Sequence, residues 1–176
     1  MIFSNSFLGE LVTAADRSSR RRQHFNVHRS HQESCQRLLN AIGVDSYIRP
    51  HRHALDPKAE CLVAVRGSMA LITFDEVGHV AEVVRLCTEQ FGNAAAADTG
   101  VGVEIAAGRW HTVIAETPGA ILFEVKAGPF DPARAKEWAP WAPEEGTVAA
   151  NRYVAELRRT VKERLGVASP SDLRTV

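Results

Sequence analysis

Between residues 36 and 127 the chain is a succession of short apolar runs broken by turn residues, with no helical periodicity interleaved. Cys61–Val65 ends at the turn Arg66-Gly67-Ser68, Met69–Phe74 follows, and Asp75-Glu76-Val77-Gly78 reads as a hairpin loop closed by glycine. Val80–Cys87, Val101–Ile105, His111–Ala115 and Ile121–Lys126 continue the series, with Gln36–Ile42 and Tyr47–Pro50 ahead of it. Short strands in this order specify an antiparallel sandwich or barrel rather than βαβ units. Open edges invite pairing with other chains, so closure into a small barrel is the expectation.

The flanks differ from this core. Residues 1–35 are polar and basic, with RSSRRR at 17–22, and residues 128–176 begin rich in Pro and Trp. In Asn151–Gly166, Val154, Leu157, Val161 and Leu165 recur at helical spacing, and Gly166 suits a C-cap. A length of 176 residues fits one domain. The expected organisation over 1–176 is an N-terminal extension (1–35), a β-barrel core (36–127), then a wrapping segment and C-terminal helix (128–176).

Twenty-one Lys and Arg balance 21 Asp and Glu, so net charge offers no reason to expect nucleic-acid binding. The apolar runs are strand-sized, which argues against a membrane-spanning helix, and MIFSNSFLGE lacks the basic and apolar regions of a secretory signal. Three widely spaced cysteines suggest no disulfide framework. A cytoplasmic location is the expectation.

The chemistry-bearing segment is Tyr47-Ile-Arg-Pro50-His51-Arg-His53, followed by Glu60. In an extended segment, residues two apart share a face, so His51 and His53 present parallel imidazoles. A carboxylate at Glu60, opening an apolar run, is costly unless paired or bound to a cation. Gly108-Arg-Trp-His111 delivers another histidine to a strand start. Three imidazoles and a carboxylate converging inside a barrel make a site for a divalent transition metal, and Fe, Zn, Ni, Mn and Cu all suit such ligands.

Gly43, His51, His53, Glu60 and Gly67, then Gly100, Ala106, Gly108, His111 and Ala115, resemble the two motifs of the cupin superfamily. A closer resemblance, to WbuC-type cupin-fold metalloproteins, covers nearly the whole chain. It rests on Arg22–His28, Ser46–His53, Arg66-Gly67, Phe74-Asp75, Gly108–His111, Glu124–Asp131 and Lys136–Pro143. The resemblance implies a mainly all-β fold, a cupin double-stranded β-helix or small jelly-roll barrel with an N-terminal extension and a C-terminal α-helix. It also implies a metal held by His51, His53, Glu60 and His111. Members are associated with surface-polysaccharide (O-antigen) gene clusters, without a settled reaction. Cupin-like barrels commonly dimerise, so a homodimer is an open expectation.

Other residues fall around this centre. Tyr47 shares parity with His51 and is a candidate acid; Glu124 and Lys126 share a strand face and, if interior, are candidate catalytic groups. His24, Asn26 and His28, with Arg22, form a candidate wall for a polar or anionic small molecule. The reading is a metalloprotein acting on a small polar or sugar-derived substrate, with isomerase, lyase and oxygenase chemistry all open. The alternative is a non-catalytic metal-containing ligand-binding or sensor module.

Overall fold

The computed structural model describes residues 1–88 and 99–166. Its elements are α1 (Asn5–Arg17), β1 (Arg22–Asn26), β2 (Cys35–Ile42), β3 (His51–Arg52), β4 (Glu60–Arg66), β5 (Ser68–Phe74) and β6 (Val80–Cys87). These are followed by β7 (Thr99–Gly100), β8 (Gly102–Ile105), β9 (Trp110–Ala115), β10 (Ala120–Ala127), β11 (Glu137–Trp138) and α2 (Val148–Leu165). Two sheets face each other, in strand orders β1-β2-β10-β4-β8 and β11-β3-β9-β5-β6-β7. Among the described residues the ladders are antiparallel except β6–β7. The expected β architecture with a C-terminal helix is present.

Side-chain alternation divides the strands into three buried layers. Leu62, Met69, Leu71, Leu86, Val113 and Leu122 fill the space between the sheets. Ile72, Phe74, Val83, Trp110 and Ile114 point outward from the second sheet and are covered by Leu157 and Val161 of α2. This explains why β5 and β9 are buried along their whole length: both faces are covered, so their sequences read as continuous apolar runs. Thr147 caps α2 by accepting from the Ala150 amide at 3.1 Å.

Two features depart from the sequence reading. The stretch 1–35 is more than an extension: α1 docks Leu8, Leu11 and Ala15 onto Leu39, Ala41 and Ile121, and β1 adds a strand to the first sheet. At about 1.5–3 kcal/mol per buried leucine, that docking outweighs the polar character of the segment. Tyr47–Pro50 forms no ladder; Pro50 has no N–H to give, and the strand begins only at His51.

Candidate metal centre

His51 owes its position to a strand of two residues. β3 lies between β9 and β11, with His51 opposite His111 on one side and Trp138 on the other. Arg52, of opposite parity, points outward, where Glu137 accepts at 2.8 and 3.0 Å and the Trp110 ring centroid lies 4.2 Å from the guanidinium carbon. Trp110 thus occupies the face opposite His111, as the sequence alternation predicts. The turn before β9 is anchored to the site itself: the Gly108 amide donates to the His53 carbonyl at 3.2 Å, and Gly108 adopts φ +77°.

The ring nitrogens of His51, His53 and His111 able to ligate a metal all lie within 4.8 Å of one another. The three residues are 5%, 5% and 3% exposed. Each Nδ1 faces a backbone carbonyl: Arg49 at 3.1 Å from His51, Arg109 at 2.9 Å from His111, and Ala135 against His53. A carbonyl can only accept, so each Nδ1 carries a proton and each neutral ring keeps its lone pair on Nε2. Burial, then the charge of Lys136 and the neighbouring His111, holds His51 well below its ordinary pKa and thus neutral.

Glu60 closes the arrangement from the first sheet. The turn at 54–57 is pinned by Lys58, which donates to Asp56 at 2.7 Å and to the Pro129 carbonyl, and this returns the chain to the barrel. The Glu60 carboxylate lies 2.8 Å from His53 Nε2 and 3.3 Å from His111 Nε2. Both rings therefore face acceptors at both nitrogens. The buried His53 Nε2 makes no hydrogen bond at all, despite that short approach. Such rings need either a second proton each, costly at this depth, or a cation between them and the carboxylate. The donor set fits a divalent transition metal.

Lys126 sits directly across the β10–β4 ladder from Glu60, and its ammonium donates to Glu60 and Glu124 at 2.8 Å each. Burial alone would lower the Lys126 ammonium, but the charges of Glu124 and Glu60 outweigh it and raise its pKa. Burial would likewise raise the Glu60 carboxyl; His111, His53 and Lys126 together hold it well below the usual carboxylate range. Glu124 and Lys126 share the inward face with Leu122.

The remaining sequence candidates are distributed unevenly. Tyr47 donates its hydroxyl to the Pro143 carbonyl at 2.9 Å and packs edge-on to Tyr153 of α2, at 6.1 Å between centroids. Burial, then Tyr153, raises its pKa. The structure ties it to the C-terminal segment rather than to the imidazoles. Arg22 donates to both Glu145 oxygens at 2.7 Å and to the Tyr47 carbonyl at 2.8 Å. His28, past the end of β1, is buried against the Arg37 backbone. His24 and Asn26 are exposed on one face of β1, and burial, then Arg20, pushes His24 below its ordinary pKa.

Two residues outside the candidate site set stand near the centre. Trp138 lies 5.6 Å from the His51 ring and is 45% exposed, and the Lys136 ammonium is 5.6 Å from the Trp138 ring. Their spacing, Lys136-x-Trp138, was the available signal.

A family profile described as "Domain of unknown function (DUF6016)" matches residues 3–86, a span that holds His51, His53 and Glu60 but ends before His111. No curated relative matches the sequence. Among solved structures, the chain is similar to protein SO0799 from Shewanella oneidensis, with 12% identity, TM-score 0.51, and coverage of 83% of this chain and 87% of that one. It is similar to an uncharacterised conserved protein with a double-stranded β-helix domain from Klebsiella pneumoniae, with 14% identity, TM-score 0.51, and coverage of 78% and 90%. A weaker likeness, TM-score 0.47 at 14% identity, is to KdgF from Halomonas sp., covering 64% of this chain and 84% of that one. The chain therefore shares the double-stranded β-helix fold of these structures, with three buried histidines able to hold a metal.

Proposed function

We propose that the protein is a WbuC-type cupin metalloprotein, with His51, His53, His111 and Glu60 as metal ligands, acting on a small polar or sugar-derived molecule. The observation that carries this reading is the common orientation of the imidazoles: three backbone carbonyls fix the Nδ1 protons, so three Nε2 lone pairs converge in a buried space. A bound divalent ion supplies Lewis-acid polarisation of a substrate oxygen. Glu124 faces the same interior and accepts from Lys126 at 2.8 Å, so it is the group placed to accept a proton from a bound substrate. A role inside the cell, in surface-polysaccharide metabolism, accords with the WbuC-like motifs and with three free cysteines, two of them exposed.

One observation favours the alternative of a non-catalytic binding or sensor module. Tyr47 is committed to Pro143, so the interior offers Glu124 and Lys126 without a phenolic acid. Turnover assays on activated sugars and keto acids separate the two readings. Catalysis predicts turnover that Glu124→Gln lowers by about 100-fold or more while metal content is kept. Tight ligand binding without turnover would establish the binding module instead.

A further inference from the structure

We propose that the open side of the three-histidine centre binds a cyclic carboxylate, with the indole of Trp138 as platform for the ring and the Lys136 ammonium as partner of the carboxylate. The inference rests on the metalloprotein reading for its setting and on residues outside the ligand set for its evidence.

β11 pairs with β3 so that Trp138 stands opposite His51 and Glu137 opposite Arg52. Arg52 and Glu137 are joined on the outer side, so strand alternation turns Trp138 toward the histidines, and the Lys136 ammonium lies 5.6 Å from its ring. Trp138 is 45% exposed beside rings that are 3–5% exposed. An indole left open at the edge of a buried polar centre offers an apolar face large enough to carry a ring, whether the C–H face of a sugar or an aromatic.

Lys136 supplies the polar half. Among the described residues it makes no ion pair or hydrogen bond, although two carboxylates face the same interior. Both of those, Glu60 and Glu124, are taken by Lys126. The Lys136 ammonium lies 5.6 Å from the Trp138 ring, which is itself 5.6 Å from the His51 ring. Arg22, the other cation of that wall, is held by Glu145.

Charge balance selects an anion. Glu60 and Glu124 offset Lys126 and Lys136, so the two positive charges of a bound metal would be left without a counter-charge. A carboxylate meets that need and pairs with one ammonium, whereas a phosphate ordinarily gathers several donors that this mouth does not present.

The test is calorimetric titration of the metal-replete protein with glucuronate and benzoate, which carry both a ring and a carboxylate. Glucose, acetate and inorganic phosphate are the comparison probes, and metal content is measured in parallel. Either cyclic acid is expected to bind more tightly than all three comparison probes, the preferred one showing whether the ring is a sugar or an aromatic. Lys136→Met should weaken binding by about 10–100-fold and Lys136→Arg should restore most of it. Trp138→Ala should weaken it by about 3–10-fold, with Trp138→Phe between. Cyclic acids that bind no better than acetate or glucose, tighter binding of phosphate, or affinity unchanged in Lys136→Met and Trp138→Ala would each overturn the subsite. A protein that takes up no metal but binds cyclic acids through Lys136 and Trp138 would overturn the metalloprotein reading and uphold the subsite.

Discussion

The Lys126 ammonium lies 2.8 Å from the Glu60 carboxylate, directly across the β10–β4 ladder, at the point where Glu60 also reaches His53 and His111. Lysine therefore neutralises the same carboxylate that a metal would engage. The two partners are 8% and 4% exposed at the side chain, so the interaction is shielded from bulk water.

Removing that ammonium has a defined consequence. Lys126→Met leaves Glu60 buried without its nearest cation, and the metal-free protein should lose about 3–5 kcal/mol of stability. Metal binding supplies positive charge at the same carboxylate, so adding zinc should narrow the gap between variant and wild type. Urea denaturation with and without metal measures both effects. Equal stability of the two metal-free proteins would show that Lys126 is not what balances Glu60.

The pH dependence of the metal-free protein follows from His51. Its pKa in the folded chain is well below the ordinary value of 6.5, chiefly through burial. Folding therefore favours the neutral ring. The contribution is fully present above about pH 6.5 and declines as the pH falls from there toward the folded value, because the unfolded chain takes up the proton first. Denaturation of chelator-treated protein at pH 7.5, 6.5 and 5.5 should show this decline, and His51→Gln should flatten it. Glu60, also depressed, acts in a lower window: its contribution is kept down to the usual carboxylate range near 4.5 and lost on further acidification.

Gly67 tests the turn between β4 and β5 that carries the chain from one sheet to the other. It adopts φ +72°, and a Cβ there would come within 2.6 Å of Thr117 Oγ1 and 3.1 Å of the Ala120 Cα. Thr117 Oγ1 accepts from the Ser68 amide at 2.9 Å, so it is not free to retreat. Gly67→Ala should cost about 1–3 kcal/mol, read by thermal or urea denaturation. A variant as stable as wild type would contradict the turn geometry.

The legible parts of the chain were those governed by short-range periodicity. His51 and His53, two residues apart, declared a shared face, and the turn at Gly108 placed His111 at a strand start. Alternation along β10 put Glu124 and Lys126 on a shared face but did not by itself turn that face inward. Parity failed at Tyr47, since the chain from Tyr47 to Pro50 is not a ladder strand and alternation does not carry through it. The nearness of Trp138 and Lys136 to the histidines was illegible for a different reason: β11 has two residues, and its register with β3 joins segments far apart in sequence. In α1, Leu8, Leu11 and Ala15 have helical spacing, but the polar and basic run after them made the segment read as an N-terminal extension.

The central claim is that His51, His53 and His111 jointly hold a metal, and the most direct measurement is metal content by mass spectrometry on protein purified without added metal. The expected result is about one transition-metal ion per chain, lost in His51→Gln, His53→Gln and His111→Gln while the far-ultraviolet circular dichroism stays that of a β-rich fold. Wild-type protein that carries no metal and takes up none on dialysis, or three glutamine variants that retain the wild-type complement, would contradict it.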